Sequence, residues 1–120
     1  MYSATVTGAK NKNIKTITIP ATVKIENETL KVTVINKNAF KNFKKATKLV
    51  IGKNITTIGK QAFYGNKALK NISIKSTKIA SIGKKAFANG NKKAKVTVAA
   101  AKKKAYKKML KNAGFEGSVK

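Results

Sequence analysis

The sequence predicts a mainly β repeat solenoid, and three observations carry that prediction. The pair Ala-Phe recurs at Ala39-Phe40, Ala62-Phe63 and Ala86-Phe87, at spacings of 23 and 24 residues. Apolar positions travel with it: Ile35, Ile58 and Ile82 stand four residues before each Ala, and Leu49, Ile72 and Val96 ten residues after it. A third set, Ile51, Ile74 and Val98, lies two residues further on, so the residues between (Val50, Ser73 and Thr97) face the other side of a strand. A fixed period of this length marks stacked units that share one continuous core.

Taken in order, residues 2–7 alternate and carry Thr and Val, which predicts a short strand. The stretch 8–13, GAKNKN, reads as a polar turn. Ile14 to Ile19 is a stronger alternating run, closed by Pro20, the only proline. Ile17, Ile19 and Val23 keep the mutual spacing of Leu49, Ile51 and Ile55, which places the start of an earlier half-repeat here. In 23–35 two β-type runs flank Glu26-Asn27-Glu28, predicting a hairpin inserted into the repeat. The interval from Ile17 to Leu49 is 32 residues, nine more than the 23 that follow.

Three repeats then fill 32–98. Each reads as a short strand ending in Ile, a tight turn of helical character through Ala-Phe, a polar connection and a second strand. Two columns, Asn36/Gly59/Gly83 and Asn42/Gly65/Asn89, hold residues that tolerate φ > 0, so both are predicted corners of the coil. The Ala before each Phe is small because backbone is expected to pass close by. The extra residue of the second interval falls between Ile74 and Ile79, a loop insertion that leaves the core register intact. From 99 onward the period changes: Tyr106, Met109, Leu110 and Ala113 recur as one face of a helix. That helix is expected to cap the open end of the solenoid, with Gly114 as its stop and Phe115 folding back onto Leu110. The expected organisation is one domain over 1–120, made of a half-repeat and hairpin (1–31), three repeats (32–98) and a capping helix with its tail (99–120).

Composition narrows the chemistry. Cys, His and Asp are absent, and the only acidic residues are Glu26, Glu28 and Glu116. General acid–base and metal chemistry draw mainly on those residue types, so neither an enzyme nor a cofactor is expected. The 28 basic residues are all Lys, for a net charge of +25. Such a surface attracts polyanions at low salt. Without Arg it lacks the bidentate fork suited to phosphate and guanine, which argues against sequence-specific nucleic-acid binding. No apolar run approaches the ~18 residues of a membrane span. No signal peptide is expected within these residues, and Met1 leads straight into an alternating run, which reads as a piece of a longer protein.

Shorter motifs dissolve on inspection. Ser81-Ile-Gly-Lys84 has the S-x-x-K spacing of penicillin-binding enzymes but sits at the repeat position of Thr57-Ile-Gly-Lys60, without its partner motifs. Gly59-Lys60 and Gly83-Lys84 lack the rest of a phosphate-binding loop. Asn27, Asn54 and Asn71 head glycosylation-type triplets that recur by chance in an Asn-rich chain.

The segment IGKQAFYGNKALKNISI, with its Ile-Gly, Ala-Phe and Leu-x-x-Ile-x-Ile elements, resembles the BspA-type leucine-rich repeat of bacterial surface proteins. The tail VTVAAAKKKAYKKMLKNAGF is similar to the closing segment of such arrays in secreted proteins of low-GC Gram-positive bacteria. The likeness covers roughly 14 to 115. It departs from the pattern at Asn36 (usually Gly), at Ala46 and Lys93, which stand where Leu69 does, and at Ala100, where Pro is common. The resemblance implies a right-handed leucine-rich-repeat solenoid with parallel strands, an extracellular or cell-surface location, and a role in adhesion or binding.

The candidate interaction face is the outward side of the second-strand column. Lys48, Asn71 and Lys95 precede the strands, and Val50, Ser73 and Thr97 lie within them. A second ladder, Lys37, Lys60 and Lys84, follows the Asn/Gly column. Expected partners are a protein, a glycan or a cell-wall component, together with non-specific polyanions at low salt; the alternative is a basic domain whose ligand is nucleic acid or an anionic wall polymer. The module is expected to be a monomer. The Phe residues keep to the apolar register, so only Tyr64 and Tyr106 stand near charge as stacking platforms.

Overall fold

The computed structural model describes residues 3–120; Tyr2 lies outside them. Among the described residues ten strands fall into two sheets. The first holds β1 (Ser3–Val6), β4 (Glu28–Ile35), β6 (Thr57–Ile58) and β8 (Ser81–Ile82) in that order, with β3 (Thr22–Ile25) paired to β4. The second runs β2 (Thr16–Ile19), β5 (Lys48–Ile51), β7 (Asn71–Ile74), β9 (Lys95–Thr97) and β10 (Ser118–Val119). All pairings are parallel except β3 with β4. One α-helix, α1 (Lys103–Asn112), follows a short 3-10 turn at Ala100–Lys102.

Register follows the hydrophobic pattern. Ile17, Leu49, Ile72 and Val96 lie opposite one another across the second sheet, and Ile19, Ile51 and Ile74 do the same. All seven are buried. A slip of one residue would turn each of them to solvent, so burial of one face fixes the pairing. Ile35, Ile58 and Ile82 align likewise in the first sheet.

The turns form a third ladder. In each rung every second N–H donates to the rung that follows: Phe40 to the Ala62 carbonyl at 2.7 Å and Phe63 to the Ala86 carbonyl at 2.8 Å. Asn38 and Asn42 pair in the same way with Lys60 and Tyr64, as do Gln61 and Gly65 with Lys84 and Ala88. Ala62 and Ala86, each preceding a Phe, are fully buried. The Phe rings then stack. Phe40 and Phe63 are 5.5 Å apart at 3°, and Phe63 and Phe87 are 5.1 Å apart at 17°.

Only one of the two predicted corner columns has left-handed backbone. Asn42, Gly65 and Asn89 have φ of 61°, 77° and 54°. The other positive-φ column is Asn38, Gln61 and Lys85, two residues beyond Asn36, Gly59 and Gly83. Gly59 and Gly83 are small for a different reason: a Cβ there would collide with the backbone nitrogen of Lys37 or Lys60 in the preceding rung.

The ends differ more from the repeat. The N-terminal segment supplies strands to both sheets, β1 to the first and β2 to the second. Its connection over 8–13 carries no Ala-Phe and is invisible to the period. Val23, matched by spacing to Ile55, is drawn into antiparallel β3, and Glu26 and Asn27 form the two-residue turn to β4 with φ of 47° and 70°. In the third repeat Ala94, not Lys93, takes the buried position of Ala46 and Leu69, since Lys93 stays in solvent and the chain shifts by one residue.

Tyr106 and Leu110 of α1 are buried, and α1 lies against β8, where the next strand of the first sheet would stand. Gly114 (φ 89°) ends the helix, with Phe115 N–H donating to the Leu110 carbonyl at 3.0 Å and Gly114 N–H to that of Lys111 at 3.1 Å. This six-to-one and five-to-two pairing is the Schellman arrangement. The chain then rejoins the register. Phe87 N–H donates to the Ala113 carbonyl, Phe115 packs edge-on to Phe87 at 6.2 Å, and β10 pairs with β9.

Candidate interaction face

Alternation in β5, β7 and β9 points Leu49, Ile72 and Val96 into the core and sends their neighbours outward. The six residues singled out by sequence therefore meet on one face in two columns. Lys48, Asn71 and Lys95 lie opposite one another, and so do Val50, Ser73 and Thr97. Lys48, Asn71, Lys95 and Thr97 are exposed, while Val50 and Ser73 are half-buried. Five of the six, together with Lys120, line a shallow depression of about 180 Å³; Val50 stands outside it.

Both columns run further than the repeats suggest. Thr16 and Thr18 of β2 continue them on one side, opposite Lys48 and Val50, and Ser118 continues the first column beyond Lys95. The signal for β10 was present in the sequence, because Val119 follows Val96 by 23 residues. It was hidden by the helix between them. The second ladder, Lys37, Lys60 and Lys84, is exposed on the turn edge of the coil and belongs to a different surface.

Electrostatically the face has no internal counter-charge. Among the described residues the single ion pair joins Lys92 to Glu116 at 3.8 Å, on mostly exposed side chains, where solvent leaves it little weight. Aromatic platforms are lacking here as well. Tyr106 is buried, and Tyr64 sits on the turn edge with Lys41 Nζ 5.4 Å from its ring centre. No group of three or more His, Cys, Asp or Glu among the described residues could hold a metal ion. No described helix is long and apolar enough to cross a membrane.

This geometry, parallel rungs with in-register apolar columns, has close counterparts. The profile of the BspA type leucine rich repeat region matches residues 9–116 in six copies. The chain belongs to the BspA-type leucine-rich repeat family. A leucine rich cell surface protein from Faecalibacterium prausnitzii A2-165 is similar in structure, with 32% identity over 81% of this chain and a TM-score of 0.67. A leucine-rich repeat protein from Bacteroides ovatus ATCC 8483, at 21% identity over 72% of the chain and a TM-score of 0.52, shares the fold. This BspA-type chain spans 26% of the first protein's length and 30% of the second's. Among curated proteins no significant match is found.

Proposed function

We infer that this BspA-type repeat is a non-catalytic interaction module of a surface or secreted bacterial protein, and that it binds through the outward face of its second sheet. The observation that carries this reading is the alignment of six outward residues in two in-register columns, five of them lining a shared depression. The cell-surface relative supports the compartment. Within the reading, 1–120 acts as one unit: β3 with the first half of β4 is a hairpin inserted into the first repeat interval, and 99–120 is a cap. The coil is right-handed, as parallel crossover connections almost always are.

The net charge of +25, with one ion pair among the described residues, favours a second reading in which charge alone draws the domain to polyanions. Cell binding by the fluorescently labelled domain at physiological salt separates the two. Ser73→Trp plants a bulky ring in the middle of the proposed face, and Ser81→Trp does the same on the exposed side of the first sheet. Loss of binding in Ser73→Trp alone is the expected result. Equal binding by both variants would reject the face.

A further inference from the structure

We propose that the ligand of this face is a linear acidic polysaccharide carrying one carboxylate on alternate sugars, lying across the strands of the second sheet. The proposal rests on the reading of that face as the binding surface and names the chemistry it would take. Lys48 and Lys95 occupy the same column, with Asn71 between them. Two strand steps put them ~10 Å apart at the backbone, about the length of a disaccharide. The column thus offers a cation, an amide and a cation in sequence. Beside it run the hydroxyls of Ser73 and Thr97, and Lys120 closes the depression.

Each part of that array has a match in such a polymer. The ammonium groups meet successive carboxylates, in charge-assisted hydrogen bonds stronger than neutral ones. The Asn71 amide and the two hydroxyls can both donate and accept, which suits the sugar hydroxyls between the acids. No carboxylate of the described residues pairs with these lysines, so ligand does not have to displace an internal partner.

Nucleic acid fits less well. Duplex DNA presents a charge about every 1.7 Å of axis, much denser than the Lys48–Lys95 spacing, and the face carries neither Arg nor an aromatic platform for a base. A neutral glycan would leave the ammonium groups without a role.

Binding of hyaluronan oligosaccharide, dextran and duplex DNA, measured by calorimetry at about 0.15 M ionic strength, tests this. Hyaluronan should bind and dextran should not. The pair Lys48→Gln/Lys95→Gln should weaken hyaluronan by about ten-fold or more, since it removes two charge-assisted contacts. The pair Lys103→Gln/Lys104→Gln, exposed on α1, removes the same charge and should change it by less than about two-fold. Equal losses from the two pairs would mean that net charge alone binds. Tighter binding to DNA, binding of dextran, or no binding of hyaluronan would each overturn the ligand class. The face itself would survive any of these if Ser73→Trp still abolished cell binding.

Discussion

Phe63 sits at the centre of the ring stack. It is fully buried, stacks between Phe40 and Phe87, and donates its N–H to Ala86 of the next rung. Truncation would open the middle of the ring stack, so Phe63→Ala should cost ~3–5 kcal/mol in chemical denaturation. An unchanged midpoint would mean that the rings do not form a common spine. Its place was legible in the sequence because the Ala-Phe pair repeats. The backbone corners were legible only in part. Asn42, Gly65 and Asn89 announce left-handed φ by their type, whereas Gln61 and Lys85 adopt it without being residues that favour it. Replacing Gln61 by Gly removes a Cβ from a conformation that costs L-residues about 1–2 kcal/mol, against an entropic loss of roughly 0.5–1 kcal/mol. The variant should be neutral to slightly more stable by the same assay. A clear loss would show that the Gln61 side chain contributes there.

Among the elements, the loop carrying the extra residue turns out to be the anchor of α1. Tyr106 Oη donates to the Ser76 carbonyl at 2.9 Å and accepts from Ile79 N–H at 3.1 Å, all of it buried. The sequence showed an insertion that spared the core register, but nothing in its spacing tied residues 76–79 to a tyrosine 27 or more positions away. Such a contact joins two irregular segments, and irregular segments have no period to read. Tyr106→Phe leaves two buried backbone groups unpaired, so unfolding should become easier by ~1–3 kcal/mol. Hydrogen exchange should report the loosening first at Ile79. If the Ile79 amide exchanged as in the parent, the anchor would lie elsewhere. Cutting the chain after Val98 is a larger test. It uncovers β8, β9 and the face of Phe87, and terminal units of solenoids are what keep such edges soluble. Aggregation or loss of cooperative unfolding is the expected outcome; a soluble, cooperatively folding 1–98 fragment would remove the capping role.

For the whole molecule, the repeat architecture was readable because each unit copies the apolar spacing that fixes its register. The outward columns followed from the same alternation. Harder to read were their extension by β10, whose 23-residue spacing the intervening helix hides, and the fact that Lys120 joins Lys48 and Lys95 around one depression, since both depend on how the chain returns after α1. The charge remains a property of the entire surface. Duplex DNA should bind at low salt with an affinity falling at roughly −0.9 per neutralised phosphate on log–log axes, and without sequence preference. Nanomolar, sequence-selective DNA binding at physiological salt would instead make the domain a nucleic-acid reader. Despite a net charge of +25, the protein is proposed to bind through one face. Amide shift mapping of the isotope-labelled domain against hyaluronan oligosaccharide tests it most directly. Perturbations gathered on Lys48–Val50, Asn71–Ser73 and Lys95–Thr97 are predicted. Perturbations spread evenly over α1, the Lys37/Lys60/Lys84 edge and the first sheet would contradict it.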